Sequence, residues 1–259
     1  PEDEECLYIY SQSMGGHIQS GIVACCAVDD YDNGIIKKHE KTRCDKEEDR
    51  TRHIITTSAQ TGPVFLMYRD KTEIKALMDE ACACQPLCQF IAADGVEHIV
   101  HKVTTTACRD RIIADFARVP ALYIADGHHR AASSSRARAE KRKANPAHTG
   151  REEYNYVMAV IFPESCLKIM PYNRVVKDLN GLSPADFIAA VKKHFQVSAL
   201  ETPHTAMKGH IGLYIEGKWH LLAYKPWENK HEDTGDPTRE LDCTLLQDLV
   251  LGPVLGIGD

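Results

Sequence analysis

The chain has no long apolar run. Across its 259 residues no stretch approaches the roughly 20 consecutive apolar residues that a helical bilayer span requires, and no basic-then-apolar leader opens it. A membrane partner is therefore not expected. Excess positive charge is also missing: the formal net charge is −6 and the pI near 6.1. That balance argues against nucleic acid or an anionic membrane surface as a general partner. Several enzyme signatures are absent as well. There is no GxSxG nucleophile elbow, no GxxxxGK[ST] phosphate loop and no GxGxxG dinucleotide fingerprint. The HExxH zinc motif is not present either, because Glu40 is followed by Lys41, Thr42 and Arg43. No internal repeat or low-complexity tract interrupts the chain.

What is present is the balance of a water-soluble globular protein, 43% hydrophobic and 26% charged. The length suffices for one large or two ordinary domains. Ten cysteines would suggest a disulfide framework in a small secreted domain, but a chain of this size does not need one. Most stand singly in apolar segments (Cys25, Cys26, Cys166, Cys243), as reduced buried thiols do, so a cytoplasmic setting is expected. Cys82, Cys84 and Cys88 have C-x-C-x3-C spacing, yet no second ligand pair follows at zinc-like spacing, and no metal is assigned to them. The chain opens on Pro1 and stops abruptly at Asp259, which suggests a piece of a longer protein.

Periodicity gives an alternation of strands and helices. Cys6 to Tyr10 and Gly21 to Val28 read as a hairpin turning at Met14-Gly15-Gly16, followed by a polar loop from Asp29 to Gly34. A highly charged helix begins at Asp45. After Gly62-Pro63 come a strand (Val64 to Tyr68), a helix (Thr72 to Cys82), a strand (Glu97 to Val103), a helix (Ala107 to Arg118) and a strand (Val119 to Ala125). A helix then runs from Arg130 to about Lys143, where Asn145-Pro146 stops it. Its basic end is read as a solvated face that suits the helix dipole. The alternation predicts an α/β fold with a mixed sheet. The polar stretch Asn145 to Glu153 is the predicted boundary, with a core over residues 1–145 and a smaller α/β domain over 151–259 that closes a cleft. In that second domain, Tyr154 to Phe162 and Cys166 to Met170 suggest a hairpin. Ser183-Pro184-Ala185-Asp186 marks a helix start, and Ile211 to Glu216 with Lys218 to Tyr224 suggest another hairpin. Lys225 to Arg239 reads as polar loop and Leu241 to Leu251 as a closing helix.

The chemistry concentrates in two places. Tyr123-Ile124-Ala125-Asp126-Gly127-His128-His129-Arg130 reads as strand, glycine turn and first helical turn. A helix start carries N–H groups without intrahelical partners and the positive end of the dipole, so it attracts anions. Gly127 permits close approach, while His128, His129 and Arg130 add donors and charge. Asp126 is placed to orient a histidine, hold a metal or simply cap the helix. The second constellation is His39-Glu40, with Thr42, Arg43, Arg50 and His53 beyond it. A carboxylate beside an anion site can take a proton from a hydroxyl while cations stabilise a transferring phosphoryl group. Alternatively, Glu40 is only a salt-bridge partner for Lys37, Lys41 or Arg43. The histidines with Asp126 could also ligate a transition metal in a hydrolase, although Arg130 disfavours a bare cation there. A third patch, Asn173-Arg174, follows a strand and would bind a substrate carboxylate, or else is a plain surface loop.

The segments Ile36 to Thr42, Glu47 to Arg50, Leu122 to Arg130 and Tyr172 to Leu179 closely resemble a bacterial and archaeal domain family labelled as of unknown function. The resemblance spans nearly the whole chain. The His-Glu motif followed by strand–Asp-Gly-His-His-Arg is also similar to the free-serine kinases of the ParB/sulfiredoxin superfamily. That resemblance implies a ParB/sulfiredoxin-like core and a small-molecule kinase making O-phosphoserine from L-serine, with ADP, ATP or pyrophosphate as donor. It implies Glu40, beside His39, as base, and Asp126 as its assistant or as the organiser of Mg²⁺. Gly127, His128, His129 and Arg130 would hold the donor phosphates. Arg50, Asn173 and Arg174 are the candidates for binding substrate. The competing expectations are a nucleotide-binding regulator or ParB-like DNA-associated protein, and a metal-dependent hydrolase.

Overall fold

The computed structural model describes residues 4–202, 207–226 and 237–258. It divides into two compact units, Pro1–Lys168 and Ile169–Asp259.

The first unit begins with the hairpin β1 (Tyr8–Met14) and β2 (His17–Ala27), then α1 (Val28–Asp32), β3 (Ile36–Lys37), α2 (Cys44–Thr57), β4 (Val64–Tyr68) and α3 (Thr72–Cys82). It continues through β5 (Cys88–Ile91), β6 (Glu97–Lys102), α4 (Thr106–Phe116), β7 (Leu122–Asp126), α5 (His128–Ala144) and β8 (Tyr156–Pro163). Among the described residues, eight strands form one mixed sheet in the order β3-β7-β4-β8-β2-β1-β6-β5. Parallel pairs join β3 to β7 and β4 to β8; the remaining neighbours run antiparallel. Alternate residues of the central strands (Ile9, Ile22, Leu66, Ala159, Ile161) enter one core with Ile74, Leu77 and Met78 of α3, Ile112 of α4 and Ala131 and Ala132 of α5. The period-2 pattern of the strands and the 3.6-residue pattern of the helices thus meet on one sheet face. Across from it, Phe162 stacks edge-on against Phe65 with ring centroids 4.8 Å apart. A Cβ on Gly21 would lie only 2.8 Å from the Phe162 ring, so that strand residue has to be glycine.

The second unit holds α6 (Pro184–Val191), β9 (Phe195–Ala199), β10 (His210–Ile215), β11 (Lys218–Tyr224) and α7 (Asp242–Leu246). Its three strands pair antiparallel in the order β10-β11-β9. Phe187, Val191, Phe195, Leu222, Leu245 and Val250 make a separate core. The chain is therefore mixed α/β, with a large mixed sheet and seven α-helices among the described residues.

Several expectations change. The boundary is at 168/169 and not at 145–151, because β8 lies inside the large sheet between β4 and β2. Both edges of β8 are taken by those strands, so it has no room for a hairpin partner. Cys166 to Met170 accordingly forms no strand; a 3-10 turn at Glu164–Cys166 leads into irregular chain. The expected loop at Asp29 to Gly34 contains α1, whose Asp29 and Asp30 occupy the first turn, where the dipole favours acids. Asp29 and Asp32 also pair with Arg138 of α5, at 2.6 and 3.2 Å. The closing helix changes character midway, α7 continuing as a π-helical turn over Gln247–Leu251. Strands β5 and β9 were not expected from the sequence. Of the polar loop from Lys225 to Arg239, residues 227–236 lie outside the described residues. No helix among the described residues is long and apolar enough to cross a membrane.

Candidate functional site

Sheet topology brings the two polar constellations to one place. β3 and β7 are parallel neighbours, Ile36 opposite Leu122 and Lys37 opposite Tyr123. Their carboxyl ends therefore emerge on the same side of the sheet, the position where α/β sheets bind ligands. β3 delivers His39 and Glu40 there, and β7 delivers Asp126 and Gly127. β4 runs antiparallel to β7, so the residues that precede it, Gln60 to Gly62, arrive at the same end. The β4–β7 ladder steps from Phe65↔Asp126 to Leu66↔Ile124. The resulting bulge at Ala125 falls immediately before the Asp-Gly turn, where such irregularities re-aim side chains.

These strand ends border an open cleft of about 660 Å³ lined by, among others, Glu40, Arg43, Lys46, Arg50, Asp126 and Arg130. The volume suits a ligand of nucleotide size. One wall is the start of α5. Gly127 stands at its N-cap with φ +97°, and no side chain caps the helix. Three main-chain N–H groups of the first turn, with the dipole behind them, are left for an external acceptor. A Cβ on Gly127 would lie 2.8 Å from Arg130 Nε, and one on Gly62 would lie 3.2 Å from Arg130 Nη1. Arg130 therefore lies flat against two glycine positions, and its guanidinium is also bound by Asp126.

His128 is only 5% exposed. Its Nδ1 approaches Glu40 Oε2 at 3.3 Å, and the His39 ring meets it edge to face with centroids 4.4 Å apart. Burial, reinforced by the neighbouring His39, pushes the His128 pKa below the ordinary histidine value, against the opposing pull of Glu40 and Asp126. The ring is therefore neutral near pH 7. Its Nε2 is enclosed and has no hydrogen-bond partner among the described residues. His129 plays a different part: its Nε2 accepts the Arg43 main-chain N–H at 3.1 Å.

The opposite wall is α2, which packs beside α5 through small residues. Ser133 is fully buried and donates its hydroxyl to the Glu47 carbonyl at 3.0 Å. Glu47 in turn accepts from Thr42 at 2.8 Å and pairs with Arg136 at 3.4 Å. This anchoring presents Lys46, Arg50 and His53 along one side of α2 toward the cleft. Arg43 is paired with Asp45 at 2.9 Å. Lys46 and Arg50 have no ion-pair partner among the described residues. Four cations, Arg43, Lys46, Arg50 and Arg130, thus face two carboxylates, Glu40 and Asp126. The lining carries more cationic than anionic side chains around an uncapped helix start.

Of the residues singled out from sequence, Glu40, Asp126, Gly127, His128, His129, Arg130 and Arg50 line this cleft, and His39 stands behind it against His128. Asn173 and Arg174 are not among the lining residues. They belong to the second unit, in an exposed irregular stretch where Arg174 lies 5.3 Å over the Tyr172 ring. Lys46, Gln60, Thr61, Gly62, Ser134 and Val157 line the cleft without having been expected. The spacing Arg43, Lys46, Arg50 is a one-face basic stripe that the acidic neighbours Glu47, Glu48 and Asp49 conceal. No group of three or more His, Cys, Asp or Glu side chains among the described residues is arranged to hold a metal ion. All ten cysteines are free, Cys84 and Cys88 being exposed.

Comparison with curated proteins gives no match, and neither does comparison with solved structures. A family model described as "Protein of unknown function (DUF1015)" matches residues 1–244. That match takes in the whole cleft, all of the first unit and most of the second, and the chain belongs to that family.

Proposed function

We propose that the cleft is the phosphoryl-transfer site of a small-molecule kinase, with L-serine as acceptor and ADP, ATP or pyrophosphate as donor. The observation that carries this reading is the apposition of the Glu40 carboxylate with an uncapped, arginine-backed helix start in one cleft of suitable size. In this reading the donor phosphates rest on the N–H groups of the first turn of α5 and on Arg130, with His129 alongside. Glu40 accepts the hydroxyl proton as the hydroxyl oxygen bonds to the terminal phosphorus and the bond to the leaving phosphate breaks. Fixed N–H dipoles and the guanidinium stabilise the charge that spreads over the transferring group. Arg50, beside Lys46 on the same side of α2, receives the acceptor carboxylate.

Mg²⁺ would arrive with the phosphates, since a carboxylate as exposed as Asp126 can share such an ion with phosphate oxygens. When bound, the ion neutralises phosphate charge; Asp126 is the residue that would hold it. The same reading takes the first unit as a ParB/sulfiredoxin-like core and the compartment as cytoplasmic, the latter in keeping with ten free thiols. Incubation of the full chain with L-serine, Mg²⁺ and each donor in turn, followed by mass spectrometry, is expected to give O-phosphoserine with one of them. Folded protein that yields no phosphoserine with any donor would overturn the proposal.

A further inference from the structure

Sequence reading groups the side chain of His128 with the phosphate ligands, but its surroundings point elsewhere. The ring is almost wholly buried. One nitrogen faces a carboxylate oxygen at 3.3 Å, and the other is enclosed without a partner among the described residues. Such a group has little surface to offer a phosphate. It does have a defined relation to Glu40, whose carboxylate has no other partner among the described residues.

We infer that the His128 side chain is a positioning residue for Glu40, while only its main-chain N–H serves the phosphate site. The physical reason lies in the tautomer. An ionised carboxylate only accepts, so the nitrogen facing it has to carry the proton; a lone pair on Nδ1 would face the negative oxygen and be repelled. The Nδ1–H tautomer then leaves a lone pair on the enclosed Nε2. The His39 ring, packed edge to face at 4.4 Å, restricts rotation of the imidazole about its own bonds. Glu40 is more than half exposed and on irregular chain after β3. Without the imidazole its carboxylate would sample many rotamers. With Oε2 facing His128 Nδ1 at 3.3 Å, Oε1 is left to meet the hydroxyl of the acceptor. A base fixed by a second group is a recurrent arrangement in proton-transfer sites.

This inference rests on Glu40 being the base of the proposed reaction, so its test needs a readout that does not depend on turnover. In the full chain labelled with ¹⁵N-histidine, two-dimensional NMR near neutral pH is expected to show His128 as the Nδ1–H tautomer, and E40Q is expected to move its ring signals. An Nε2–H tautomer in the wild-type chain would overturn the inference, whether or not the protein is a kinase. If phosphoserine is never formed but the Nδ1–H tautomer is found, the kinase reading fails and the pairing stands. Where product is formed, H128A is expected to lower kcat by roughly 10- to 100-fold, the usual loss on removing an orienting partner, with the donor KM unchanged. H128N, whose amide N–H can occupy the place of Nδ1–H, is expected to recover most of that loss, and H128Q is not. A rise in donor KM in H128A with kcat preserved would return His128 to the phosphate ligands and overturn the inference.

Discussion

Two helix starts in this protein are built in opposite ways. At α6, Ser183 caps the helix by accepting the Asp186 N–H at 3.2 Å, proline occupies the first turn and Asp186 supplies negative charge. α4 is similar, with the Thr105 hydroxyl accepting the Cys108 N–H at 3.2 Å. At α5 the cap is a glycine in the left-handed region, no side chain satisfies the first turn, and no acid is found there. The first two helices complete their own ends from local sequence. The start of α5 has no side-chain acceptor for its donors, and that turn is held through Asp126–Arg130 and through the packing of α2. α1, α2, α3 and α7 also lack a side-chain cap; what sets α5 apart is its left-handed glycine N-cap with Arg130 and Glu40 on the same cleft.

Substitutions on the two sides of this contrast should separate cleanly. E40Q removes the proposed base and leaves the helix end intact. Steady-state kinetics are expected to show a loss of roughly 10²- to 10⁴-fold in kcat, with donor binding retained. A variant that keeps its rate would detach Glu40 from the chemistry. G127A places a side chain at φ +97°, a conformation that costs an L-residue about 1–2 kcal/mol, and pushes against Arg130. Thermal unfolding is expected to report that loss, and calorimetry a weaker donor. S183A strikes the filled end. It is expected to cost about 1 kcal/mol in denaturant unfolding of the second unit, followed by fluorescence since both tryptophans, Trp219 and Trp227, fall within residues 169–259. Donor affinity should not change. R50A is expected to weaken anion binding by up to about 1 kcal/mol, an effect that added salt should reduce because the side chain is exposed. Equal loss at low and high salt would show that Arg50 acts by something other than its charge.

The contrast also explains how much could be read from sequence alone. Ser183-Pro184-Ala185-Asp186 spells a capped helix, and the strand–Asp-Gly-His-His-Arg stretch spells an open one, because both signals are local. Helix α3 and both glycine-turned hairpins, β1–β2 and β10–β11, were legible for the same reason. The placement of β8 was not. Its membership in the first sheet depends on β2 and β4, which precede it by more than 80 residues, and a polar stretch before it resembles a linker. The site was half legible. Glu40 and the residues around Gly127 announce themselves by type, but only the parallel pairing of β3 with β7 shows that they share a cleft. Gln60 had no local signal at all: its amide donates to the Tyr156 carbonyl at 2.8 Å and accepts the Met158 N–H at 2.7 Å, a tie across the chain that holds the Thr61-Gly62 wall in place. The burial of His128, which sets its side chain apart from the main-chain N–H groups of the same turn, is likewise a product of tertiary packing that no local pattern announces.

The most direct test is an amide-resolved NMR titration of the deuterated full chain with pyrophosphate and with ADP, each with Mg²⁺. Saturable shifts are expected at the amides of residues 127–131, with those of residues 184–187 unmoved. Saturable binding that leaves 127–131 unchanged and shifts amides elsewhere would contradict the claim that the open start of α5 is where the donor phosphates rest.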